Sequence, residues 1–172
     1  MAGDVIGLAN AQALRPGDTL YSEVPVVYPP IPSFSPEYFS VARGKDPSKH
    51  KQFRKGIEQL DQEGVVQVLR SDRRGEQAPV LAAVGPMQFE VASHRMAGEF
   101  GAAISLEPLS YTVARITDAE GAEVLQKLAS VEVFTRSDGV LLAVFSTKWR
   151  LENVARENPN VTLRSLVAAG DN

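Results

Sequence analysis

The chain has 172 residues, 44% of them hydrophobic and 23% charged, which places it among globular proteins large enough for one domain or two small ones and excludes disordered and collagen-like classes. Its formal net charge of -3 provides no global attraction to nucleic acid, so such a contact needs a local basic patch. The absence of cysteine excludes disulfides and thiolate metal ligands, and no apolar stretch reaches bilayer-spanning length, so the expectation is a soluble cytoplasmic protein with no membrane partner.

Residues 4–8 and 18–21 read as short strands joined by a turn at Leu14-Arg15-Pro16-Gly17-Asp18. Two strands cannot bury a core, so this piece is expected to belong to a larger sheet, most of it outside the chain. Pro25, Pro29, Pro30, Pro32 and Pro36 follow. Each removes an amide donor and biases its predecessor to extended geometry, which predicts a stiff linker.

From residue 38 the pattern is strand, helix, strand, strand, helix, strand. Residues 38–43 alternate apolar and polar, and Asp46-Pro47 supplies an N-cap with proline in the first helical position. The helix, with Phe53, Ile57 and Leu60 on one stripe, is expected to run to about Glu63 and to end at a left-handed Gly64. Strands are predicted at 65–69 and 80–84, separated by the polar connection 71–77. The second of these feeds a helix through Gly85, which is read as serving the sharp exit from the strand. That helix carries Phe89, Ala92, Met96 and Phe100 on one face, and a strand at 103–106 closes the set. The order matches the split ferredoxin-like βαββαβ topology.

A second α/β cycle follows. Residues 111–116 read as a strand, and Thr117-Asp118-Ala119-Glu120 fits a capping box for a helix bearing Val124, Leu125 and Leu128. Phe134 and residues 140–145 flank Arg136-Ser137-Asp138-Gly139, whose Asp-Gly pair signals a hairpin. A further helix begins near Ser146 and stops before Pro159, leaving 161–166 as a last strand. The fold class is α+β, with repeated topology but no sequence self-similarity between the cycles.

The catalytic inventory is poor. His50 and His94 are far apart and lie on polar helix faces, where they read as solvated, and no Gly-x-Ser-x-Gly elbow supports a serine triad. Asp118, Glu120 and Glu123 sit in a helix first turn, where carboxylates complement the dipole. No His and carboxylate cluster has metal-ligand spacing, and no Gly-x-x-x-x-Gly-Lys run exists to cradle phosphates. Catalytic, cofactor and metal sites are therefore expected to be absent from this chain.

One basic concentration remains, from Arg43 through Lys45, Lys49, His50 and Lys51 to Arg54 and Lys55. On a helix Lys51, Arg54 and Lys55 share the face opposite Phe53, Ile57 and Leu60. Both an ordinary charged face balanced by Glu58 and a phosphate-backbone contact surface fit that pattern. No aromatic residue is interleaved to suggest base stacking.

Asp4-Val5-Ile6-Gly7-Leu8 with Arg15-Pro16-Gly17-Asp18-Thr19-Leu20 resembles the end of the second-domain barrel of translational GTPases. The segments Ile31-Pro32-Ser33-Phe34-Ser35-Pro36-Glu37, Lys45-Asp46-Pro47-Ser48-Lys49, Lys55-Gly56-Ile57-Glu58-Gln59-Leu60 and Glu63-Gly64-Val65-Val66-Gln67-Val68 resemble the bacterial peptide chain release factor 3 family. So do Ala83-Val84-Gly85-Pro86-Met87-Gln88-Phe89-Glu90-Val91 and Asn158-Pro159-Asn160-Val161-Thr162-Leu163-Arg164. Gln88-Phe89 helps to separate the resemblance from that to elongation factor G, which has a glycine-glutamate-leucine-histidine version at that place.

The resemblance implies the C-terminal part of such a factor. Residues 1–24 would be the C-terminal strands of a truncated domain II β-barrel, 25–37 a linker and 38–172 the third domain, with sub-lobes at about 38–109 and 110–172. It implies no enzyme activity in this chain; the full-length parent would be a GTPase that binds GTP with magnesium on a domain outside it and promotes dissociation of class I release factors from the ribosome. The implied partners are ribosomal RNA and proteins, class I release factors functionally, and the factor's own GTPase domain and domain II. Arg43, Lys45, Lys49, Lys51, Arg54 and Lys55 are the candidates for ribosome contact. Domain III of elongation factor G or a related GTPase is the alternative, and a stand-alone α+β enzyme a third class.

Overall fold

The computed structural model describes residues 3–11, 14, 16–28, 34–71, 73–75 and 77–166. Its elements are β1 (Tyr38–Gly44), a 3-10 turn (Pro47–Lys49) running into α1 (His50–Gln62), β2 (Gln67–Arg70), β3 (Val80–Ala83), α2 (Met87–Gly98) and β4 (Ile104–Leu109). Then come β5 (Val113–Thr117), α3 (Ala119–Leu125), β6 (Val131–Arg136), β7 (Leu141–Phe145) and α4 (Lys148–Glu157). The fold is α+β, built on one seven-stranded sheet in the order β4-β1-β3-β2-β6-β7-β5, with every neighbouring pair antiparallel.

In the first half two βαβ crossovers interleave, β1-α1-β2 enclosing β3 and β3-α2-β4 enclosing β1. Reading outward from the β2·β6 seam, the second half repeats that order through β6, β7 and β5. Its outermost strand, expected at 161–166, is reduced to an isolated bridge in which Ile116 and Arg164 exchange backbone hydrogen bonds of 2.8 and 2.9 Å. Val161 and Leu163, which precede Arg164, pack into the core with α3 and α4.

Both faces of the strands are covered. Phe53, Ile57 and Leu60 of α1 and Ala92 and Met96 of α2 pack on Ala42, Val68 and Leu81; Leu125, Leu151 and Val154 do the same on Val133, Ala143 and Phe145. The remaining face is shared, with Phe39, Val41, Leu69, Val80 and Ala82 of the first half meeting Ala114, Phe134, Leu142 and Val144 of the second. Burial on both sides explains why 80–83 and 141–145 read as continuous apolar runs.

Local signals act as their chemistry requires. Asp46 Oδ1 accepts from Ser48 N at 2.9 Å, capping the 3-10 turn, so the α-helix proper starts only at His50. At the other end Gly64 has φ of 72°, and Gly64 N and Val65 N donate to the carbonyls of Asp61 and Leu60, a Schellman closure. The α3 cap is Asp118, whose Oδ1 accepts from Gly121 N at 2.8 Å; the expected capping box placed Thr117 there, one residue early. Thr117 belongs to β5 and is buried.

The strand exit at Gly85 differs from expectation. Gly85 is not among the residues with positive φ, and a Cβ there would meet nothing within 4 Å. Gln88 holds the corner: its Oε1 accepts from Val84 N at 2.8 Å and Gly85 N at 3.2 Å, and its Nε2 donates to Val65 O at 2.8 Å. Space demands glycine at 56, where a Cβ would lie 2.5 Å from Met96 Sδ and 2.9 Å from Phe100, and at 121, where it would lie 2.4 Å from Thr117 Oγ1. Replacing Gly56 by valine should therefore cost about 1–3 kcal/mol through α1–α2 overpacking, read as a lower urea midpoint with an unchanged m-value.

The expected barrel strands are not formed. No strand is assigned at 4–8 or 18–21, and Val5 is 99% exposed. A strand needs a partner ladder, and the described residues offer these segments none. Arg15 of the predicted turn, Pro29, Pro30 and Pro32 of the linker, and Ile31 and Ser33 of the family-like segment lie outside the described residues.

Register sets which ends meet. Val41, Val80, Leu69 and Arg136 stand in one row across four strands. Beyond that row β1 ends at Gly44 and β2 at Arg70, and on the same side β6 begins opposite the end of β7, Val131 facing Phe145. The starts of α1 and α4 and the β2–β3 connection thus share one end of the sheet.

Candidate nucleic-acid interface

The six basic candidates are all exposed. Lys51, Arg54 and Lys55 project from α1 opposite buried Phe53, Ile57 and Leu60, as the spacing predicts. Arg43 ends β1, with Nε 3.9 Å from Glu107 Oε2. Lys45 N donates to Ala103 O at 2.9 Å, and Lys49 Nζ to Gly101 O at 2.7 Å, tying the start of the helix to the β4 approach.

Two open recesses adjoin four of the six candidates, Arg43, Lys51, Arg54 and Lys55. One, of about 480 Å³, is lined by Arg43, Asp46, His50, Phe53 and Gln77 among others. The other, of about 390 Å³, is lined by His50, Lys51, Arg54, Lys55 and Glu58. His50 borders both, so this exposed histidine of the basic run stands where the two recesses adjoin.

Few acids compensate the charge. Asp46 is engaged by Ser48, whose side-chain and backbone hydrogen bonds hold its carboxyl below the usual range. Arg54 Nε stands 3.7 Å from Glu58, an exposed i,i+4 pair of small energetic weight. The first turn of α1 has no acid, and Lys49 and Lys51 lie at the positive end of its dipole. Each such cation costs about 0.3–1 kcal/mol and raises the local positive potential, which suits a phosphate oxygen.

Elsewhere charges pair. Arg95 Nε and Nη2 donate to the Glu99 carboxylate at 2.8 and 2.7 Å, and Nη1 donates to Glu63 Oε2. Hydrogen bonds from Arg95 hold both carboxyls below their ordinary values. A lowered folded pKa stabilises above the unfolded value and is lost as pH falls through the folded one. The thermal midpoint should therefore decline as pH falls below about 4.5, and Arg95→Gln should flatten that decline.

The chain has no Gly-x-x-x-x-Gly-Lys run, and among the described residues no group of three His, Cys, Asp or Glu could hold a metal ion. No helix among the described residues is long and apolar enough to cross a membrane. Sequence reading passed over Arg73 and Arg74 in a connection that looked merely polar. It also passed over Trp149, 70% exposed between Lys148 and Arg150, although that triplet was visible in the sequence.

Residues 28–155 match the family described as "Class II release factor RF3, C-terminal domain". The chain is 43% identical over 169 residues to a peptide chain release factor 3 of Synechocystis sp., covering 96% of this chain and 30% of that protein. The corresponding protein of Symbiobacterium thermophilum is 40% identical over 169 residues, covering 98% and 32%, and that of Microcystis aeruginosa 41% over 171 residues, covering 98% and 31%. The chain thus spans about a third of the length of the curated relatives it matches.

Proposed function

This chain belongs to the class II release factor 3 family, and we propose that it serves as the non-catalytic recognition and transmission region of a translation termination factor. The full-length protein would use GTP, bound on a domain outside this chain, to promote departure of class I release factors from the ribosome. Residues 1–24 would continue that protein's second-domain barrel, 25–37 would link, and 38–172 would form the third domain. The residues of this chain would bind and orient; hydrolysis would take place elsewhere.

The observation that carries the reading is the family match over residues 28–155, coupled to an exposed cationic face on α1 that acids only sparsely oppose. Ribosomal RNA presents phosphates to such a face, and Arg43, Lys45, Lys49, Lys51, Arg54 and Lys55 would contact it. Domain rearrangement driven by the nucleotide would change how that face meets the ribosome.

The test is charge reversal in the full-length factor. Lys51→Glu, Arg54→Glu and Lys55→Glu together should weaken ribosome association at least tenfold near 100 mM salt and lower the log-log salt slope by about 2–3. Unchanged affinity at every salt concentration would remove α1 from the interface.

A further inference from the structure

We propose that the sheet end running from the start of α1 to the start of α4 is one continuous surface for single-stranded RNA, with the phosphate backbone along its cations and a base stacked on Trp149. This rests on the reading of α1 as a phosphate contact and extends it into the second half of the fold.

The strand register brings the starts of both helices to the same end, four strand steps apart, from β1 through β3, β2 and β6 to β7, along a sheet whose two halves pack face to face. The β2–β3 connection bridges the gap. Gln77 at its end lines the recess beside Arg43 and His50, and Arg73 Nη2 donates to Gln126 O at the end of α3. Arg150 Nη2 donates to Ala129 O at 2.9 Å, carrying the contact line to α4.

Those two arginines are held by neutral carbonyls. Their guanidinium groups are positioned while no carboxylate among the described residues pairs with them, which suits recognition of an anion. Lys127 and Lys148 are exposed beside them, and among the described residues no carboxylate forms an ion pair with Lys127, Lys148, Arg73 or Arg150. Glu132 at this end is buried and occupied by Arg74.

Trp149 supplies what the α1 cluster lacks. An indole 70% exposed on a helix whose adjacent positions are Lys148 and Arg150 is a stacking platform in a locally positive stretch, the combination that suits unpaired bases. Arginine and tryptophan suit protein and RNA partners alike, whereas lysine is depleted where proteins bury one another, so Lys127 and Lys148 favour RNA. A base within a duplex cannot reach the indole, so the strand must be single.

The chain has one tryptophan, so its intrinsic emission reports this site alone. Titration of the 172-residue chain with a 12-nucleotide oligoadenylate at about 50 mM and 200 mM salt should quench that emission saturably, with affinity falling as salt rises. An RNA duplex of equal length should leave emission largely unchanged. Lys127→Glu with Lys148→Glu should weaken binding of the labelled strand about tenfold by anisotropy, Trp149→Ala should weaken it about tenfold, and Trp149→Phe should retain most of the affinity.

Equal quenching by the duplex, quenching by oligoglutamate with none by RNA, or indifference to the Lys127 and Lys148 reversals overturns the proposal. If reversal of Lys51, Arg54 and Lys55 abolishes binding while changes at Lys127, Lys148 and Trp149 have no effect, the α1 reading stands and the extension fails. The opposite pattern retains the extension and removes α1.

Discussion

Phe134→Ala should destabilise the chain by about 3–5 kcal/mol, the largest effect expected of a single core substitution here. Phe134 is 1% exposed and sits on β6 in the cluster that both halves share, among Phe39, Val41, Leu69 and Val80 of one and Ala114, Leu142 and Val144 of the other. Removing the ring takes away its transfer free energy and leaves a cavity that backbone on both sides of the seam prevents from closing. The thermal midpoint should fall by roughly 10 °C in a single transition, because neither half keeps a complete apolar face without the other. Two transitions, or a loss below about 1 kcal/mol, would mean that the halves do not stabilise each other through this core.

Arg74→Ala should cost about 2–4 kcal/mol, although Arg74 lies in a connection. Arg74 Nε and Nη2 donate to the two oxygens of Glu132 at 2.7 and 2.6 Å, and Tyr111 Oη donates to Glu132 Oε2 at 3.1 Å. The Glu132 side chain is only 6% exposed, so deleting its partner leaves a carboxylate in a poorly solvated site; the 25% exposure of Arg74 places the cost below that of a fully buried pair. The pair raises the Arg74 pKa, mainly through its hydrogen bonds to Glu132. Arg74→Met combined with Glu132→Leu should recover most of the lost stability, since apolar groups of similar volume need no partner. Urea midpoints of the two single variants and the double variant give the coupling energy, and simple additivity would show that the bidentate contact is energetically idle.

The second prediction turns on residues that a linear reading left aside. Arg74 lay in a stretch with no periodicity, and Glu132 in a strand whose alternation marks one face without saying what covers it. Their pairing spans 58 residues, and nothing near either one specifies it. The α1 cluster was legible because Phe53, Ile57 and Leu60 define the buried stripe and leave Lys51, Arg54 and Lys55 opposite. Gln88 was legible as a mark of kinship; only its bonds to Val84, Gly85 and Val65 showed that it pins the β3–α2 corner. The reading of 4–8 and 18–21 as strands failed for the complementary reason, since strand propensity becomes a ladder only beside a partner.

By itself the sequence determined the order of helices and strands from residue 38 as far as α4, the caps and turns that bound most of them, the buried stripes of α1 and α2, and membership of the release factor 3 family. Those features are carried by neighbouring residues, through periodicity, backbone preference and short motifs. Only the tertiary structure decided that β2 pairs with β6, that two α/β cycles share one core across that seam, and that Trp149 stands at the same end of the sheet as Lys49 and His50. Each of these depends on register between segments far apart in the chain, where the free energy comes from joint burial of surfaces that no local pattern pairs in advance.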